Sequence, residues 1–100
     1  MLRKSIDIFE PPTRNEVIKS LQVIPGVGKS IAVDLYNLGI RKVSDLRGRS
    51  PEQLYKKSNA LAGTRQDPCL LYAFRCAVYF AETPVPDKKK LQWWYWKEGR

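Results

Sequence analysis

A chain of 100 residues can build one hydrophobic core but not two, so a single domain must carry the function. The net charge is +8, from 18 Lys and Arg against 10 Asp and Glu, and the isoelectric point near 9.7 favours polyanionic partners such as nucleic acid. Without a histidine the chain excludes Ser-His-Asp catalysis, and no carboxylate pair is spaced for acid–base work, so we expect no enzyme.

The positive charge is not confined to an arm, because residues 1–50 and 51–100 each hold nine basic and five acidic side chains. Residues 1–12 read as a leader in which Asp7 and Glu10 interrupt the apolar run that a signal peptide needs. The longest apolar segment, Pro68 to Ala81, contains Arg75 and falls short of the roughly 20 residues of a membrane helix. A soluble, cytoplasmic protein with no membrane partner is the expectation.

Thr13-Arg14-Asn15-Glu16 fits a capping box that opens a helix with Val17, Ile18 and Leu21 on one face, ending near Gln22. In the tight turn Val23-Ile24-Pro25-Gly26-Val27-Gly28, two glycines permit either positive φ or a close approach of the backbone to something else. A second helix starts near Lys29, turns Ile31, Ala32, Leu35 and Leu38 to one side, and is capped by Gly39. A connector with a short helix at Ser44 to Leu46 leads to Ser50-Pro51-Glu52-Gln53, which opens a third helix reaching about Leu61. Gly63 breaks that helix, and Asp67-Pro68 starts a fourth, running to about Ala81 and apolar nearly all round, which marks it as the buried centre. Pro84 and Pro86 close it. The tail, 87–100, sets Lys88, Lys89 and Lys90 before Trp93-Trp94-Tyr95-Trp96.

Cys69 and Cys76 are seven positions apart on one helix, roughly 10 Å between Cα atoms and beyond disulfide reach. Two thiolates without histidine fall short of a zinc site. Both read as small buried hydrophobes, with Cys69, near a helix N-terminus that lowers thiol pKa, as the alternative reactive thiol. Gly28-Lys29-Ser30 echoes the end of a phosphate-binding P-loop, but the required first glycine would fall at Val23 and a helix precedes the turn. A dinucleotide fingerprint fails because its third glycine would fall at Ile31.

The apolar residues Leu21, Ile24 and Val27, the glycines Gly26 and Gly28, and the small Ala32 together resemble the helix-hairpin-helix motif. The physical content of the motif is a turn that feeds N–H groups into the next helix N-terminus, forming an anion site for a DNA phosphate. The resemblance implies phosphate contacts through the N–H groups of Gly26, Gly28, Ser30 and Ile31, with Val27 in the turn and Lys29 adding charge. It also implies a K+ or Na+ ion held by the carbonyls of Gln22, Ile24 and Val27. Arg41 and Lys42 are expected to support the contact. The equivalent second turn, Ala62-Gly63-Thr64-Arg65, lacks paired glycines.

Over a longer span, Ile24 to Lys29, Asp34-Leu35-Tyr36, Gly39-Ile40, Leu71 to Phe80 and Trp93 to Lys97 resemble the bacterial pathogenicity-locus family. These are small helix-hairpin-helix proteins also labelled mitomycin-resistance proteins. The expected fold is all-α, a SAM-like bundle of about five helices in one domain. Residues 13–38 form the helix-hairpin-helix, 50–82 a second helical pair, and 87–100 an aromatic tail packed on the bundle.

The expected function is sequence-independent binding of the DNA backbone, double-stranded, by phosphate capture. The alternative is a protein-interaction module of a larger complex that uses the bundle and the aromatic tail. Trp93, Trp94 and Trp96 are expected to pack on the core, with base stacking beside the lysines as the rival role.

Overall fold

The computed structural model describes residues 11–97, and every regular element among them is helical. Four α-helices, α1 (Arg14–Leu21), α2 (Lys29–Asn37), α3 (Pro51–Ala62) and α4 (Pro68–Glu82), are accompanied by single 3-10 turns at Val43–Leu46, Lys88–Leu91 and Trp93–Trp96. The all-α expectation holds, but the expected count of about five helices differs slightly from the four α-helices and three short 3-10 turns found among the described residues. Most of the leader, 1–10, and the last three residues of the tail, 98–100, lie outside them.

Local chemistry sets the helix ends. Thr13 Oγ1 accepts from Glu16 N at 3.2 Å while Glu16 Oε1 accepts from Thr13 N at 2.9 Å, the reciprocal capping box. Ser50 caps α3 through Gln53 N, and Asp67 caps α4 through Cys69 N, each with proline in the first turn. α2 ends in a Schellman motif, with Gly39 N–H on the Tyr36 carbonyl and Ile40 N–H on the Leu35 carbonyl, both at 3.0 Å. Gly39 takes φ +93° there, and the motif's apolar contact is supplied by the fully buried Leu35 and Ile40.

α1 and α2 pack as a helical hairpin through Val17, Ile18, Leu21, Ile24, Ala32 and Leu35, all buried. α4 is the centre, packing against α3, the 3-10 turn at Val43–Leu46 and both turns of the tail. Its Phe74 is fully buried, and Ala77, Val78 and Ala81 complete the stripe facing the shared core. The C-terminus of α4 is tied down by the loop that precedes α3. Arg47 Nε donates to the Ala81 carbonyl at 2.9 Å, and Gly48 N donates to Glu82 Oε2 at 2.7 Å. A cation at the negative end of a helix dipole is favourable placement. No helix among the described residues is long and apolar enough to cross a membrane.

The tail lies against α4 by specific bonds. Trp96 Nε1 donates to the Lys90 carbonyl at 2.9 Å, the Cys76 thiol reaches the same carbonyl at 3.6 Å, and Arg75 donates to the Trp96 carbonyl at 2.7 Å. The rings of Tyr79 and Trp96 are 5.4 Å apart. The three tryptophans do not share one environment: Trp93 and Trp96 are half-buried, while Trp94 is 51% exposed. Adjacent aromatics cannot all face one surface, and the 3-10 turn directs Trp94 outward.

Candidate functional site

The hairpin between α1 and α2 tightens in two steps. Gln22, Val23 and Ile24 N–H groups bond carbonyls three residues back, and then Val27 N donates to the Ile24 carbonyl at 3.0 Å across Pro25-Gly26. Proline at the first central position fixes a negative φ, and Gly26 follows at φ +82°, which makes this a type II turn. Gly28 differs in kind. Its φ of −88° and ψ of −172° are open to any residue, and a Cβ built on it meets nothing within 4 Å. Gly26 is thus required by backbone conformation, whereas Gly28 leaves open space at the mouth of α2.

That mouth is unlike the other three. Thr13, Ser50 and Asp67 supply side-chain caps to α1, α3 and α4, but the Gly28 cap has no side chain, and no acidic residue lies in the first turn of α2. Helical bonding resumes only with Ala32 N on the Gly28 carbonyl at 3.0 Å. The N–H groups of Gly28, Lys29, Ser30 and Ile31 therefore have no acceptor among the described residues, and Gly28, Lys29 and Ser30 are exposed. Oriented donors and the positive end of the helix dipole meet at one exposed spot, with the exposed Lys29 in the same first turn.

The other expected contact residues fall elsewhere. Val27 turns inward, 5% exposed, with its N–H spent in the type II turn, so it has no donor to offer a ligand. Arg41 sits at the opposite end of α2, donating to the Tyr36 carbonyl at 2.7 Å with its guanidinium 3.8 Å from the centroid of the Tyr36 ring. It serves as a C-terminal helix cation rather than a neighbour of the hairpin, which is about one helix length away, roughly 13 Å for nine residues. Lys42 is exposed at that same far end. Of the three carbonyls expected to hold a monovalent ion, that of Ile24 already accepts the Val27 N–H, leaving one lone pair, while those of Gln22 and Val27 accept from no described residue. Main-chain carbonyl oxygens are the ligand type that lines K+ sites.

The second hairpin is chemically opposite. Where α2 opens on Gly28, α4 opens on Asp67, whose Oδ1 accepts from Cys69 N at 2.8 Å, a bond that holds its carboxyl below the usual range. A carboxylate at this N-terminus repels phosphate. The same Asp67 raises the Cys69 thiol, countering the helix dipole, so Cys69 is not an activated nucleophile. Its expected burial is also corrected: Cys69 is exposed in the first turn of α4, while Cys76 is buried and pushed up to about 11 by desolvation.

Between the two helix mouths lies a cleft of about 430 Å³ lined by Gly26, Ser30, Ile31 and Asp34 on one side and Gln66, Asp67, Cys69, Leu70, Ala73 and Trp93 on the other. Gln66 is anchored by its amide nitrogen to Ser58 Oγ at 2.8 Å and Asn59 Oδ1 at 3.2 Å, so this wall is fixed to α3. Asp34 is half-buried, its carboxylate has no hydrogen-bond or ionic partner among the described residues, and burial pushes its carboxyl up. Neither Asp34 nor Gln66 stands out in the sequence as a site residue, because no spacing rule joins positions so far apart.

Residues 14–100 match the pathogenicity-locus family. The chain belongs to this family. A mitomycin resistance protein from Streptomyces lavendulae is 36% identical over 80 residues, covering 80% of this chain and 72% of that protein. No solved structure gives a significant match. For this pathogenicity-locus protein the unpartnered Asp34 carries a testable consequence. A folded-state carboxyl pKa above its ordinary value means that the unfolded chain ionises first as pH rises, so ionisation lowers stability above about pH 4. Asp34→Asn is therefore expected to raise the melting temperature slightly at pH 7. The difference should shrink towards zero as pH falls below the unfolded pKa, as measured by circular dichroism across pH.

Proposed function

We propose that the protein binds the DNA backbone without sequence preference by seating a phosphate on the N-terminus of α2, as helix-hairpin-helix proteins do, and that it catalyses nothing. The single observation that carries this reading is the cluster of exposed, acceptor-free N–H groups from Gly28 to Ser30 beside Lys29, on a chain of net charge +8. The donors at this mouth are main-chain N–H groups suited to phosphate oxygens, which favours indifference to the sequence of a paired duplex. Double-stranded DNA is the expected partner, and the cell interior the expected location. The oxygens of Gln22, Ile24 and Val27 would hold K+ or Na+, which would add positive charge beside the phosphate.

Lys29→Ala tests the electrostatic part. A lysine that neutralises a phosphate displaces condensed counterions, so removing the ammonium should lower the salt slope of binding by about one, equally for unrelated duplexes. Fluorescence anisotropy at several salt concentrations measures this; an unchanged slope would place Lys29 away from the interface.

A further inference from the structure

We infer that the cleft between α2 and α4 receives an unpaired guanine base of a DNA strand whose phosphate occupies the α2 N-terminus. This rests on the phosphate reading above and adds the form of DNA that fits best.

Four observations meet in this cleft. It adjoins the phosphate site, since Ser30 and Ile31 belong to both, and its volume of about 430 Å³ lies within the roughly 300 to 1,000 Å³ of small-ligand sites. Trp93 forms part of its wall, half-buried and edge to face with Trp94 at 5.6 Å, and so brings an aromatic ring to the cleft. Ile31, Leu70 and Ala73 give the apolar lining a flat ring needs. Asp34 presents a carboxylate that no described residue satisfies, one helical turn from Ser30 on the same face and about 6 Å along the axis.

The carboxylate chooses the base. It accepts hydrogen bonds and offers none, so it needs two adjacent donors to be satisfied fully. On the Watson–Crick edge only guanine has two, N1–H and the N2 amino group. Adenine and cytosine set a ring nitrogen acceptor beside their amino group, and thymine flanks its one N–H with carbonyls. Inside a duplex this edge is occupied by cytosine, so the base must be unpaired, as at a strand end or a displaced nucleotide. The desolvation of Asp34, which costs the free protein stability, is what a site that binds donors would retain.

The experiment compares three DNAs of one core sequence: a blunt duplex, the duplex ending in a single unpaired guanine, and the same duplex ending in an unpaired thymine. The guanine end should bind about tenfold tighter than the blunt duplex, as expected for one stacked base, and tighter than the thymine end. Trp93→Ala should abolish the gain from the unpaired base, and Asp34→Asn the preference for guanine, both leaving blunt-duplex binding unchanged.

Cys69 provides a readout on the unaltered protein, because its exposed thiol lines the cleft. Its alkylation by iodoacetamide should slow with guanine-ended DNA and not with blunt duplex at equal occupancy. Blunt-duplex binding that is sensitive to Lys29→Ala, together with equal affinity for all three DNAs and unslowed Cys69 alkylation, would overturn the base site and leave the phosphate site standing. Failure of all three DNAs to bind would overturn both.

Discussion

Gly28→Val is expected to weaken duplex DNA binding by about tenfold to a hundredfold while the protein stays folded. The extended backbone at position 28 accepts a β-branched residue, and the space around its Cβ is empty, so the substitution creates no clash within the protein. Replacing a glycine N-cap costs about 1 kcal/mol or less. The methyl groups would instead stand where a phosphate must approach the N–H groups of α2. Blocking charge-assisted hydrogen bonds of about 1.5 to 3 kcal/mol gives the stated loss.

Gly26→Ala is the mirror case. At φ +82° an L side chain is strained by roughly 1 to 2 kcal/mol, so this substitution should lower the melting temperature. Two glycines in one motif thus separate by measurement, one through binding and one through stability.

Trp96→Ala should cost about 3 kcal/mol of stability, whereas Trp94→Ala should stay within about 0.5 kcal/mol of the parent. Trp96 joins the tail to α4 through its ring contact with Tyr79 and its N–H bond to the Lys90 carbonyl. Its removal also leaves that carbonyl with only the weak Cys76 thiol donor. Trp94 is 51% exposed and stands edge to face with the ring of Trp93, so its truncation removes less buried surface. Chemical denaturation of both variants, with equal slopes against denaturant, reads this difference.

Much of the fold was legible because its signals are local. Thr13 with Glu16, Ser50 with Pro51, Asp67 with Pro68, and Gly39 after Leu38 each determine a helix end within four residues, and all four act as expected. The apolar stretch from Pro68 to Ala81 marked the central helix for the same reason.

What escaped the sequence depends on direction or on distance. Periodicity treats Gly26 and Gly28 alike, although only one has positive φ. Arg41 follows α2 closely in sequence, yet the helix carries it to the end away from the hairpin. Cys69 occupies an apolar run but faces solvent, because it belongs to the first turn, before α4 enters the core. The run of tryptophans gave no means of telling Trp94 from Trp96. The cleft needed Asp34, Gln66 and Trp93 to meet from three separate segments, and only the folded chain brings them together.

Phosphate capture by α2 is tested most directly by following backbone amide resonances of isotope-labelled protein during titration with a short blunt duplex, repeated with a second duplex of unrelated sequence. The largest shifts should fall on Gly28, Lys29, Ser30 and Ile31, coincide for the two sequences, and diminish together as salt is raised. Shifts centred on Trp94 or around Arg41 and Lys42, with the α2 N-terminal amides unmoved, would contradict phosphate capture at this helix.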